Sequence, residues 1–313
     1  MPAGDTTDEI LASPRAALPE APWDGYPRSV RRVVTLPDRG RLVVATDLQG
    51  NLADWMALEE HFERLQRDRG DAVLVVTGDL VHGPDLAEED WPDYLGSFYR
   101  DASTDVLARA RVLQRRHPGR VFYLLGNHEH AHVGGPVVAK FFPDEAERLE
   151  GLLGAESAQT MRDWLREWPF VASARGAGLV MLHAAPHVPI TSIDDLEELP
   201  IEGVFDGDDV DPRIREKVAA LFWSRTTSTE RANAFLRAID PEARVAVYGH
   251  DVARAGYAID REPLLCISTS FGCYDGDKLL LEWDLDRPAR NAREVADEGL
   301  RPLHPGAGPV HRS

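Results

Sequence analysis

The chain alternates short apolar runs with longer stretches in which apolar residues recur every three or four positions. The apolar runs are RLVVATD (41–47), AVLVVTGD (72–79), RVFYLLGNH (120–128), GLVMLHAA (178–185), RVAVYGHD (244–251), PLLCISTS (263–270) and KLLLEWDL (278–285). Their Val and Leu content, with little polar alternation, is typical of strands buried on both faces. Helical periodicity covers residues 51–69, 103–116, 144–153, 157–167 and 229–239. The alternation predicts an α/β domain, and the last three runs, which no long helix separates, are expected to form an antiparallel, mixed part of the sheet.

The two ends of the chain depart from this pattern. Residues 1–27 are acidic and proline-rich, which predicts a flexible N-terminal arm. Residues 287–313 are expected to form a mobile C-terminal tail, with one short helix near residues 292–300. Residues 28–286 are then the folded domain.

Composition narrows the function classes. The formal net charge of −18, from 53 acidic and 35 basic residues, disfavours binding to a nucleic-acid backbone. No apolar run approaches the roughly 20 residues of a membrane span, so no membrane partner is expected. The N-terminal stretch lacks the basic start and apolar core of a signal peptide, which predicts a cytoplasmic protein. The two cysteines, Cys266 and Cys273, lack zinc-knuckle spacing and are expected to be buried thiols.

Metal-binding residue types follow the first five apolar runs. These residues are Asp47, Asp79, Asn127 with His128, His183 and His250. Because ligands of open α/β sheets bind outside the carboxyl ends of the strands, we expect these side chains to converge. The mixture of carboxylate, amide and imidazole suits Mn²⁺, Fe²⁺ or Zn²⁺. An aspartate can also bridge two ions about 3.5–4 Å apart, the arrangement that serves displacement at phosphorus.

This series of motifs, with Gly126-Asn127-His128-Glu129 at its centre, resembles the calcineurin-like metallophosphoesterases. More narrowly, it resembles their phosphoprotein phosphatase (serine/threonine) branch. The narrower resemblance rests on LHAAPHVPI (182–190), LFWSR (221–225) and YGHDVARAGYAI (248–259). It spans about residues 41–285 and implies that residues 28–286 form a metallophosphoesterase catalytic domain, a four-layer α-β-β-α sandwich with mixed sheets.

The resemblance also implies a role for each matching residue. Asp79 would bridge two divalent ions, preferably Mn²⁺ with Fe²⁺ or Zn²⁺ as alternatives, and Asp47 would bind the first ion. The second ion would be completed by Asn127, His183 and His250. His128 would be the general acid, Glu129 would hold its loop, and Arg225 would clamp phosphate oxygens. A metal-bound hydroxide would attack phosphorus directly.

Two motifs depart from the family pattern. The first is Asp47-Leu48-Gln49 where the family has Asp-x-His, and Gln49 offers only a neutral carbonyl oxygen. The second, GDLVHGP (78–84), lacks the family's later Asp and Arg. One hypothesis is that His82 replaces the missing ligand of the first ion. The alternatives are that His82 orients His128 or contacts phosphate, or that it is a loop histidine without a role. His130 and His132 are expected to be exposed loop histidines.

The predicted function is a metal-dependent phosphomonoesterase, acting on phosphoserine or phosphothreonine in proteins. A small-molecule or dinucleoside polyphosphate phosphatase is an alternative, because related members share the same core. A catalytically impaired scaffold that binds phosphorylated partners is another, since the first-motif histidine and the second-motif arginine are missing. The impaired first site also leaves open a one-metal relative.

Overall fold

The computed structural model describes residues 32–205 and 210–311. The predicted N-terminal arm, residues 1–27, lies outside them. The strands in these ranges are β1 (Val33–Thr35), β2 (Arg41–Ala45), β3 (Val73–Val76), β4 (Val121–Tyr123), β5 (Val171–Ala174), β6 (Leu179–Leu182), β7 (Val245–Tyr248), β8 (Tyr257–Ala258), β9 (Leu264–Ile267), β10 (Leu279–Asp284) and β11 (Leu300–Pro302). The α-helices there are α1 (Leu52–Arg69), α2 (Ser103–Arg116), α3 (Asn127–His130), α4 (Glu145–Leu153), α5 (Ala155–Leu165), α6 (Asp194–Glu197), α7 (Pro212–Trp223), α8 (Thr229–Ile239) and α9 (Ala292–Gly299).

The strands form two mixed sheets. The five-stranded sheet has the order β11-β10-β2-β3-β4, in which β2, β3 and β4 are parallel and β10 runs antiparallel to β2. The six-stranded sheet has the order β1-β5-β6-β7-β9-β8, in which β6, β7 and β9 are parallel. Parallel neighbours end at the same edge of their sheet, so the polar residues that follow them are brought together there.

Alternation along the strands explains how the sheets pack. Leu42 and Val44 of β2 join the apolar core that also contains Met181 of β6 and Val247 of β7. The intervening residues of β2 belong to a second core, which includes Trp55 of α1. Successive side chains of a strand point to opposite faces, so the strand is apolar on both. This arrangement of two mixed sheets with helices confirms the predicted metallophosphoesterase-type sandwich.

Several elements differ from the sequence prediction. Strands β1 and β5 were not expected because they are short. Helix α7 was missed although Ile214, Val218 and Leu221 recur at helical spacing after Pro212. β7 and β9 are parallel rather than antiparallel. The segment between them contains β8, which pairs antiparallel with β9. β10 is also antiparallel to its neighbour, but that neighbour is β2 of the other sheet.

The C-terminal segment is packed, in contrast to the mobile tail expected from residue 287. The short helix expected there is present as α9, and its Ala292, Val295 and Ala296 are buried. Strand β11 then pairs with β10 through Leu281 and Leu300. The prediction was wrong because three small apolar residues suffice to dock one helix face, while the proline, glycine and charged residues around them dominate the local composition.

Two smaller findings complete the fold. Cys266 and Cys273 are buried free thiols, as expected. None of the helices in the described ranges combines the length and apolar character that a membrane crossing requires.

Candidate functional site

Backbone strain marks the strand ends where the candidate residues lie. Among the described residues, five non-glycine residues have a left-handed backbone, and all belong to the predicted site: Asp47 (φ 51°), Gln49 (φ 38°), Asp79 (φ 55°), His82 (φ 69°) and His250 (φ 64°). Such conformations persist only where the surroundings impose them, and they concentrate at functional sites. Close packing also explains why two positions of the site are occupied by glycine. A Cβ at Gly126 would collide with the Asp79 carboxylate, and one at Gly249 would collide with Thr46.

Four predicted metal ligands meet at one point. His183 Nε2 lies 2.9 Å from Asn127 Oδ1, 3.1 Å from His250 Nδ1 and 3.4 Å from Asp79 Oδ1. His183 Nδ1 donates to the carbonyl of Thr77 at 2.9 Å, which leaves Nε2 with a lone pair. The lone pair of Nε2, the amide oxygen and the carboxylate oxygen are thus three acceptors that face one another.

This cluster fits a divalent cation. Acceptor atoms that face one another without a proton to share are stabilised by a positive ion between them. Burial raises the pKa of Asp79 well above its usual range, and the nearby Asp47 carboxylate raises it further. A cation beside these carboxylates would relieve both effects. The Nε2 atom of His250 is also buried without a hydrogen-bond partner. Asp79, His183 and His250 hence form a group that could hold a metal ion.

The Gly-Asn-His-Glu turn connects β4 to this cluster. The backbone N–H of His128 donates to Asp79 Oδ1 at 3.2 Å, and His128 Nε2 lies 3.8 Å from Asp79 Oδ2. Glu129 accepts backbone hydrogen bonds from Asp79 at 2.8 Å, from Leu80 at 2.7 Å and from Gly126 at 3.2 Å. Glu129 therefore ties the end of β3 to the end of β4 and fixes where Asp79 stands.

Gln49 faces an ammonium group that sequence reasoning missed. Lys140 Nζ donates to Gln49 Oε1 at 3.1 Å and lies 3.6 Å from the ring centroid of Phe271. The adjacent Asp47 accepts hydrogen bonds on Oδ2 from the Thr46 hydroxyl and, at 3.0 Å, from the backbone of His250. Gln49 and one carboxylate oxygen of Asp47, both predicted ligands of the first ion, thus already accept hydrogen bonds from protein donors.

His82 lies beside His128 and His132. Its Nδ1 is 3.0 Å from His128 Nδ1, and its Nε2 is 2.9 Å from His132 Nε2. Both ring nitrogens have imidazole partners, so this geometry favours the interpretation in which His82 orients His128. His82 as a ligand of the first ion stays a prediction, because His82 also belongs, with His128 and Glu145, to a group that could hold a metal ion.

Glu145 completes this histidine cluster. Its Oε2 lies 3.3 Å from His128 Nδ1 and 3.5 Å from His82 Nδ1. Its Oε1 accepts from the backbone N–H groups of Lys140 at 3.1 Å and Phe141 at 2.6 Å. Burial lowers the pKa of His128 and of His82 well below the usual range. A protonated His128 therefore needs a nearby anion, and Glu145 is the carboxylate that faces it.

The remaining predicted residues occupy the margins of the site. The Arg225 guanidinium donates to Asp251 at 2.8 Å and to the carbonyl of His250 at 3.3 Å, and its side chain is exposed. His130 and His132 are buried, so the expectation that they are exposed was wrong. His130 packs on Phe222, and His132 also bonds Glu150 at 2.9 Å.

Lys140 carried little sequence signal because no motif or apolar period surrounds it. Glu145 falls in the helix predicted over residues 144–153, but nothing in that pattern indicated that it reaches the site. The segment between residues 134 and 144 has no helix or strand, and it reaches the site only through the tertiary fold. One hint was available, since Lys140 is one of three lysines in a chain that otherwise uses arginine as its cation.

Two solved structures with TM-scores above 0.5 share this fold. A cold-active protein-tyrosine phosphatase from the psychrophile Shewanella sp. aligns with a TM-score of 0.52 at 16% identity, covering 82% of this chain and 78% of that one. Another structure of a cold-active protein tyrosine phosphatase gives a TM-score of 0.54 at 14% identity, over 83% and 81% of the two chains. A protein serine/threonine phosphatase from Saccharomyces cerevisiae gives a TM-score of 0.49 at 14% identity, over 88% and 79%.

Sequence comparison identifies the family. No curated protein matches the chain. The model of the calcineurin-like phosphoesterase family matches residues 40–254, which is more than half of the chain and includes every candidate ligand named above. The chain therefore belongs to the calcineurin-like phosphoesterase family.

Proposed function

We propose that this phosphoesterase is a metal-dependent phosphomonoesterase that acts on phosphoserine and phosphothreonine in proteins. The observation that carries the proposal is the buried cluster of facing acceptors, Asp79 Oδ1, Asn127 Oδ1 and His183 Nε2. A cation held there would supply positive charge to the phosphate oxygens and would lower the pKa of a coordinated water. The preference for a protein substrate is supported by the motifs around Arg225 and His250, which resemble the serine/threonine branch.

The surrounding residues would then bind the metal ion, donate a proton and bind the phosphate. Asp79, Asn127, His183 and His250 would hold the ion, with Mn²⁺ as the proposed metal. His128, beside Asp79, would donate a proton to the leaving oxygen, which the Glu145 carboxylate supports by stabilising the imidazolium. Arg225 lies at the rim next to His250. It would release its hydrogen bond to Asp251 and bind phosphate oxygens instead.

Hydrolysis tests the proposal directly. Purified protein with added Mn²⁺ is assayed on p-nitrophenyl phosphate and then on phosphoserine, phosphothreonine and phosphotyrosine peptides and a diadenosine polyphosphate. The phosphotyrosine peptide is included because similar structures are described as protein-tyrosine phosphatases. We expect the highest kcat/KM on the phosphoserine and phosphothreonine peptides.

The His128→Asn variant assigns any activity to this site. We expect it to lower kcat by about 10²–10⁴-fold with unchanged metal content, since general acid catalysis contributes that much. His117→Asn is the matched control. His117 follows the last residue of α2 and hydrogen-bonds Glu63 of α1, so it contacts none of the candidate site residues named above. Faster turnover of the dinucleotide would favour the small-molecule function. Phosphopeptide binding without hydrolysis of any compound would favour the scaffold.

A further inference from the structure

The position predicted for the first ion is poorly equipped with free ligands. Gln49 contributes a neutral amide oxygen, and Lys140 Nζ already donates to it at 3.1 Å. Asp47 has one carboxylate oxygen engaged by the Thr46 hydroxyl and the His250 backbone. The position of the second ion differs, because its acceptors face one another and the donor to Asp79 Oδ1 is a neutral backbone N–H rather than an ammonium.

The Lys140 ammonium is held in place by several contacts. The residue as a whole is exposed, and its charged end reaches Gln49, which is 2% exposed. The Phe271 ring lies under the ammonium at 3.6 Å, a favourable cation–π distance, and Phe271 N–H donates to the Asp47 carbonyl at 3.0 Å. The Lys140 backbone is bonded to Glu145.

We infer that the Lys140 ammonium takes the place of the first metal ion, so that the chain holds one divalent cation rather than two. The ammonium bonded to Gln49 lies near enough to interact with the charges of Asp79 and Asp47. It therefore supplies positive charge to these two carboxylates and repels a second dication. The chemistry of this site thus combines one metal ion with one fixed organic cation. The inference rests on the proposed function, since it assumes that the Asp79 cluster binds metal.

Metal stoichiometry tests the inference without relying on activity. The full-length protein is dialysed to equilibrium against Mn²⁺ and bound metal is counted by elemental analysis, with electron paramagnetic resonance to separate isolated from exchange-coupled ions. The variants are Lys140→Met, Gln49→His and the double variant that carries both. Lys217→Met is the matched control, because Lys217 pairs with Asp195 away from the site. Circular dichroism checks that each variant is folded.

We expect one isolated ion in the natural protein and in Lys217→Met, and two coupled ions in the double variant, which removes the ammonium and restores an imidazole. Two ions in the natural protein would overturn the inference and leave the proposed function intact. A single ion in a folded double variant would also overturn it, because Lys140 would not then be what excludes the second ion. No bound ion in the natural protein would instead contradict the proposed function.

Discussion

At the scale of single residues, Glu145 shows how one carboxylate can serve two tasks. Its Oε1 accepts hydrogen bonds from two backbone N–H groups. Its Oε2 is buried, has no hydrogen-bond partner and lies 3.3 Å from His128 Nδ1. A carboxylate held in this way is placed to orient an imidazole and to stabilise its protonated form. Glu145 therefore acts on the reaction through His128 as a positioning residue.

Replacing Glu145 by glutamine keeps the shape and removes the charge. We expect Glu145→Gln to lower kcat about 10–100-fold. The limb of the pH–rate profile that reports protonated His128 should move to lower pH, because the imidazolium loses its neighbouring anion. Glu145→Asp should restore part of the rate. Glu147→Gln, on the exposed side of the same helix, is the control. An unchanged pH profile together with a lowered melting temperature would assign Glu145 a purely structural role.

The ligand residues could be predicted from sequence because each directly follows a buried strand. The rule that parallel strands end together brings Asp79 close to Asn127 in one sheet and His183 close to His250 in the other. Packing of the two sheets then brings the pairs together, with Asn127 Oδ1 2.9 Å and Asp79 Oδ1 3.4 Å from His183 Nε2. Lys140 and Glu145 follow no such rule. Lys140 lies in an irregular segment and Glu145 in the first turn of α4, and the local pattern does not encode how either packs against the strand ends.

At the scale of elements, α9 and β11 make the C-terminal segment part of the core. Val295 and Ala296 join the apolar cluster between the sheets, and β11 extends the five-stranded sheet beyond β10. His304 adds a bond to Asp54 at 2.7 Å, which connects the segment to the start of α1. Composition alone suggested mobility here because it averages over a few buried positions and many polar ones.

Truncating Val295 distinguishes a docked helix from a mobile tail. We expect Val295→Ala to lower the free energy of unfolding by about 2 kcal/mol, since Val295 is fully buried and its methyl groups leave a cavity. Chemical denaturation of the metal-free protein measures this. Asp297→Ala, on the exposed face of α9, should change stability by less than about 0.5 kcal/mol. Equal stability of the Val295 variant and the natural protein would show that α9 contributes nothing to the fold.

At the scale of the whole molecule, burial sets the protonation of the site in opposite directions for acids and bases. It raises the pKa of Glu129 to about 7 and lowers that of His130 to about 4. A carboxyl with a raised pKa stabilises the fold as the pH falls, whereas a histidine with a lowered pKa destabilises it. The pH dependence of the natural protein is therefore a sum of opposing contributions, and a single group is isolated only by comparison with a variant.

His130 is suited to that comparison because it lies in the core, with Nε2 donating to the Ile201 carbonyl at 3.0 Å and Nδ1 without a partner. Below its ordinary pKa of 6.5 the unfolded chain binds a proton there, and the folded protein does so only near pH 4. Stability from this group is thus present above pH 6.5 and is lost as the pH falls towards 4. Between pH 7 and pH 5 we expect the free energy of unfolding to fall by about 2 kcal/mol more in the natural protein than in His130→Gln, measured by urea denaturation with chelator present. Because the comparison uses the change in the free energy of unfolding with pH, the stability cost of the substitution itself cancels. Parallel pH profiles of the two proteins would contradict the prediction, since His130 would then be protonated equally in the folded and unfolded states.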